Sequence, residues 1–247
     1  TNAAEITLRG ADAVIDGGVA YLADGDLYIP RGGTYALSGS FTGGIVVNTG
    51  DKSAVTLCLD GLSVKNDRGA ALRVEQAGSV TLYLTEGSEN VLESGEAPTD
   101  GTDGAVFSRD DLTICGEGAL TVTSGYQHGI AANDALTVSG GSITVNAPQD
   151  GLHANGALTV CKSFRVGDDC MLVANKPIVV SNDFTMASGS QVKHDRGSKI
   201  DILALDDIDI SVDATMTADG AGNYGGSPSK KSAHGGKPNS TCRDCYG

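Results

Sequence analysis

The chain has 247 residues, 35 of them Gly, with 4% aromatics and no Trp. That leaves little ring volume for an aromatic core and favours a thin core of stacked Val, Leu, Ile and Ala. With 31 acidic against 17 basic residues the formal charge is −14, which argues against a nucleic-acid partner and against adhesion to anionic lipid. No apolar run approaches the ~18 residues of a membrane-spanning helix, so no membrane insertion is expected.

Taken in chain order, residues 6–29 read as strand but fall outside the period seen later. Residues 1–32 are expected to cap a domain running over 1–217. Short alternating strands follow at 45–47, 55–59, 62–64, 71–74 and 80–84, then a loop at 93–103. From 103 to 186 one phrase recurs: DGAVFSRDDLTICGEGALTV, HGIAANDALTVSGGSITV, DGLHANGALTVCKSFRV and CMLVANKPIVVSNDFTM. Its central residues Leu112, Leu136, Leu158 and Ile178 are 24, 22 and 20 residues apart. A second strand recurs at Leu120, Ile143 and Phe164, and a third at Val106, Ile130, Leu152 and Leu172.

Period-2 alternation puts the aliphatics on one face and Thr113, Thr137 and Thr159 on the other. Three short strands per repeat, with Gly, Asn and Asp turns between them, predict an all-β right-handed parallel β-helix, a solenoid of about 22 residues per turn. Further strands are expected at 200–203 and 208–212. The Thr row is expected to continue through Val179 and Asp201, and β-propensity on an exposed face explains it better than an ice-matching lattice. From residue 218 a Gly/Ser/Lys-rich stretch through 247 reads as linker or tail. The chain begins at Thr1 with neither Met nor a signal pattern, as after loss of a signal or upstream domains; tethering to catalytic or surface domains is expected.

Cys115 and Cys161 lie two repeats apart, about 10 Å, too far for a disulfide. Cys242 and Cys245 form a lone C-x-x-C in the tail, better read as a local disulfide or a free pair than as a zinc site.

Four features carry possible chemistry. Acidic residues gather in the turns: Asp100, Asp103, Asp110, Asp111, Asp134 and Asp150 are the candidate metal ligands, with Asp168 and Asp169 beyond them. In-register repeats bring such carboxylates within about 5 Å of one another, where they can share Ca²⁺; turn formation by Asp-Gly is the alternative. Asp103, His128 and Asp150 each precede a turn Gly and align in the repeat. Outward-facing rings and amides form the second feature, with Phe107, Tyr126, Gln127, His128, Gln149 and His153 as candidate sugar contacts; scattered surface aromatics are the bland alternative. The Thr row is the third. The fourth is catalysis by a Ca²⁺-assisted lyase with a basic residue, for which Arg109, Lys162, Arg165 and Lys176 are sparse material. No P-loop, nucleophile elbow or H-E-x-x-H occurs.

The wording at 33–47 (GTYALSGSFTGGIVV), 55–64 (VTLCLDGLSV) and 105–122 (AVFSRDDLTICGEGALTV) resembles a family of carbohydrate-binding domains of bacteria that degrade plant cell walls. The resemblance covers about residues 6–215. It implies a right-handed parallel β-helix of pectate-lyase-like shape, secreted or on the cell surface, that binds Ca²⁺ and polysaccharide (cellulose, xylan or pectic acid sugars) without established lyase activity. The family phrase stands intact only as SRDDL at 108–112; it decays to AANDAL at 131–136 and ANGAL at 154–158, and His128 replaces the Asp before Gly129. The expected function is therefore a non-catalytic carbohydrate-binding module. A Ca²⁺-dependent lyase on acidic sugars and a structural surface or adhesin spacer are the rivals.

Overall fold

Alternating aliphatics in short segments bury one face and leave the other wet, and parallel pairing of equivalent segments stacks the buried ones. A computed structural model describes residues 3–161, 164–166, 171–174, 178–180, 183–193 and 202–217, and every regular element among them is a β-strand. From residue 33 on, every strand pairing is parallel, and most strands pair with their counterpart in the next repeat. One ladder, buried as far as Ile178, runs Val55, Val80, Leu112, Leu136, Leu158, Ile178 and a half-buried Ile202. A second, on the facing sheet, runs Leu27, Ile45, Leu72, Val106, Ile130, Leu152. Both ladders join one continuous hydrophobic core.

The strand Val55–Asn66 belongs to two rows at once. Its first half pairs with Val80–Leu84 and its second half with Glu89–Ser94. Between them lies Asp60-Gly61, where Gly61 takes φ +70°, a value that suits a residue without Cβ. At this corner an amide replaces an aliphatic. Asn90 is buried on the ladder with Leu120 and Ile143. Its side-chain oxygen accepts the Leu62 N–H at 2.9 Å, and its NH₂ donates to Ser88 Oγ at 2.8 Å and to the Ala119 carbonyl at 3.0 Å.

The first residues depart from the parallel rule. Ala4–Gly10 runs parallel to Gly33–Thr42 but antiparallel to Asp12–Asp16. Tyr21–Ala23 and Asp26–Ile29 form a hairpin whose two-residue turn, Asp24-Gly25, has positive φ at both positions, as such hairpins require.

The aligned leucines pair as the repeat predicts, and the Thr row is longer than expected: Thr34, Thr56, Thr81, Thr113, Thr137 and Thr159 stand in register. It continues through Val179 to Leu203, because Ile178 pairs with Ile202; Asp201 lies outside the described residues. The second row also breaks. Ser142–Asn146 ends its sheet, while Phe164–Val166 pairs with Phe184–Met186 and begins a separate three-stranded sheet. Asp168, Asp169, Lys162, Lys176, the 218–247 tail and Cys242 and Cys245 lie outside the described residues. Cys58, Cys115 and Cys161 are free thiols, as expected for the latter two.

Replacing Asn90 by Ala strands the Leu62 N–H and the Ala119 carbonyl in the interior. The expected loss is about 1–3 kcal/mol of unfolding free energy, read as a lower urea midpoint at unchanged slope.

Candidate functional site

Two neighbouring strands of the second sheet, His128–Ala132 and Asp150–Ala154, pair in parallel with Ala131 opposite His153. That register sets His128 beside Asp150 at the strand entrances. Residues three apart on a regular strand point to opposite faces. The pairing of Asp150–Ala154 with Met171–Ala174 is irregular between Asp150 and His153, and such irregularities re-aim side chains. The result is a convergence: Nδ1 of His128 and Nδ1 of His153 each lie 2.9 Å from the same Asp150 oxygen, Oδ2. The two imidazoles stack with centroids 4.3 Å apart and planes 22° from parallel.

Asp150 is 2% exposed. Burial by itself pushes its carboxyl up, but the hydrogen bonds and charges of His128 and His153 outweigh burial and hold it below the usual carboxylate value. Its other oxygen, Oδ1, is buried without a hydrogen-bond partner. The backbone around the cluster is fixed. The His128 N–H donates to the Asp103 carbonyl at 2.8 Å, and the Gln149 N–H donates to the Gln127 carbonyl at 2.9 Å. Gln127 itself is held at φ +45°, a left-handed conformation uncommon for a residue with a side chain. The Ser124 hydroxyl donates to the Tyr126 carbonyl at 2.5 Å and accepts the Tyr126 N–H at 3.2 Å. This turn leaves Tyr126 39% exposed, two residues before His128.

The other sequence candidates fall elsewhere. Phe107 is on the outward ladder between Arg73 and Ala131, yet it is only 8% exposed and packs with Ala70 and Ala131. The neighbouring loop is anchored by the Asp100 carboxylate, which accepts the Ala70 N–H at 3.0 Å and the Thr102 N–H and hydroxyl at 3.0 and 2.6 Å, and lies 3.5 Å from Arg73. Phe107 is thus no open stacking platform. Asp110 accepts the Ala77 N–H at 2.8 Å, and Asp111 accepts the Ala135 N–H at 3.0 Å. Each of these carboxylates ties its own turn to the turn of an adjacent repeat. Asp134 is exposed, and its carbonyl accepts the Gly156 N–H. Asp103 does not align with His128, because Gly104 is the residue paired with it; one Asp103 oxygen is buried without a partner. Among the described residues, the one group of three metal-capable side chains is His128, Asp150 and His153, so the six acidic candidates do not converge. Sequence reasoning assigned His128 and His153 to sugar contact and Asp150 to metal binding. The signal that unites them is the one-repeat spacing of His128 and Asp150, with His153 three residues on.

The fold and the neighbours place the chain. Its strand arrangement matches the polysaccharide lyase-like protein from C. thermocellum, solved as a gadolinium derivative, with a TM-score of 0.64 over 87% of this chain and 97% of that one at 23% identity, a likeness of fold. Residues 23–190 match the model of the carbohydrate-binding domain-containing protein family, and the chain belongs to that family. A carbohydrate-binding domain-containing protein of Acetivibrio thermocellus is 35% identical over 133 residues, 51% of this chain. The match spans 46% of that relative's length.

In metal-free protein, Asp150→Asn replaces the carboxylate shared by two imidazoles with a neutral amide, at an expected cost of about 1–3 kcal/mol at neutral pH. A carboxyl whose folded pKa is depressed contributes stability above the unfolded value and loses it as pH falls through the folded one. The gap between wild type and variant therefore closes in acid, below the usual Asp pKa of about 3.9, in thermal melts run against pH.

Proposed function

We propose that this chain is a non-catalytic carbohydrate-binding module that docks a plant cell-wall polysaccharide of the xylan, cellulose or pectic type on a right-handed parallel β-helix. The observation that carries the reading is the family match over residues 23–190, which spans the Tyr126 turn and both strands beside it. Parallel pairing of strand after strand supports the helix, and right-handed crossover is the overwhelming rule for such connections. Strands about 4.8 Å apart offer a polymer many small, repeated subsites, and many weak contacts add to a useful avidity. Tyr126 supplies an exposed ring on a backbone held by Ser124, so little ordering is needed to present it.

Secretion and tethering to other domains belong to the same reading. Calcium is its finer part. Because the acidic candidates are dispersed, most of the six to eight oxygens that Ca²⁺ takes would come from backbone and water. A second reading, a lyase on acidic sugars, draws on the name of the polysaccharide lyase-like neighbour. A shared fold is weak support for shared chemistry, since function resides in the site.

Affinity gel electrophoresis against xylan, soluble cellulose derivatives, mixed glucans and polygalacturonate tests the module. Retardation by at least one polymer is expected, and retardation by none removes the reading. Tyr126→Ala is expected to weaken that binding by about 3- to 10-fold. Release of unsaturated, ultraviolet-absorbing product from polygalacturonate would establish the lyase instead. For calcium, the expected outcome is a lower melting temperature in EDTA that CaCl₂ restores, and a melt that is unchanged in EDTA, or not restored by CaCl₂, removes the ion from the proposal.

A further inference from the structure

We infer that His128, Asp150 and His153 form a binding site for a divalent transition metal of the zinc class. Neither the family assignment nor the polysaccharide reading requires such a site.

The donor set selects the ion. Two imidazole nitrogens and one carboxylate suit zinc, nickel, copper or iron, whereas calcium takes hard oxygen donors. One donor atom from each residue lies within 4.8 Å of those of the other two. The two 2.9 Å separations between Asp150 Oδ2 and the imidazole nitrogens lie about 0.4 Å inside the ~3.3 Å edge of a tetrahedron with bonds of about 2.05 Å, so a small outward shift of either ring would admit the ion. A second observation points the same way. Asp150 Oδ1 has no hydrogen-bond partner although its side chain is 3% exposed, and a buried carboxylate oxygen left unpaired is costly. Bidentate coordination would engage it.

The surroundings favour the cation. The His128 and His153 side chains are 11% and 16% exposed, so the ion would be screened from bulk water without being sealed from it. The entrance strands and the backbone hydrogen bonds at Asp103 and Gln127 hold the ligands in place before any ion arrives. The chain's charge of −14 raises the local concentration of cations.

The test uses the whole chain, stripped with EDTA, exchanged into chelator-free buffer and titrated calorimetrically with ZnCl₂. His194, His234, Cys242 and Cys245 are also soft-metal donors, so the readout is the difference between wild type and variants. The expected result is one equivalent of Zn²⁺ that is weakened about tenfold or more by His128→Ala, His153→Ala and Asp150→Asn, and that excess CaCl₂ does not displace. Identical titrations for wild type and His153→Ala would overturn the site, leaving a hydrogen-bonded His–Asp–His cluster, as would displacement of Zn²⁺ by equimolar Ca²⁺. If an Ala variant misfolds by circular dichroism, His153→Gln and the Co²⁺ spectrum of the wild type decide. Weak visible bands lost in His153→Gln support the site, and thiolate charge-transfer bands assign the metal to cysteine and overturn it. Polysaccharide retardation is scored separately, so its failure leaves this result standing.

Discussion

Everything here depends on the backbone hydrogen bonds between one repeat and the next. A parallel strand cannot satisfy its N–H and C=O groups within its own repeat, so each must find them in a neighbour. The pairing then fixes the side chains: in-register strands put equivalent residues about 4.8 Å apart. An aliphatic position becomes a buried ladder and a Thr position a half-buried one on the outer face. The same rule makes a site out of residues that a sequence keeps far apart, as with His128 and Asp150. It also explains why the turns are acidic. Asp26, Asp100, Asp110 and Asp111 accept N–H groups at turns of other repeats, groups that no strand ladder reaches.

Much of this was legible in the chain itself. Alternation within short segments combined with a period near 22 located the strands, and aligning Leu112, Leu136, Leu158 and Ile178 gave their register. What escaped were features decided by geometry between repeats. Phe164–Val166 looks like the next copy of Ser142–Asn146, but hydrophobic pattern does not say which sheet a strand joins. Phe107 alternates as an outward residue, yet its packing with Ala70 and Ala131 leaves it covered, which the pattern does not announce. Asn90 sits on an aliphatic ladder because a bend in Val55–Asn66 leaves the Leu62 N–H to be met. Period alone put Asp103 beside His128, and the real register places Gly104 there.

The candidate site was half legible. His128, Asp150 and His153 were all visible as chemistry-bearing residues, but their union depends on the irregular pairing at Asp150–His153, which no composition or spacing announces. Tyr126 fared better. A loop with Ser, Gly and an aromatic between two strands is a natural place for an exposed ring, and the structure keeps it exposed.

The bent strand Val55–Asn66 has a mechanical consequence. It is bonded along its length to Gly33–Thr42 on one side and divides between two rows on the other. Load applied along the strand rows would peel strands singly wherever a repeat touches only its own neighbours. At Val55–Asn66 the force must break two rows together, so this strand is the clamp at which unravelling from either end would stall.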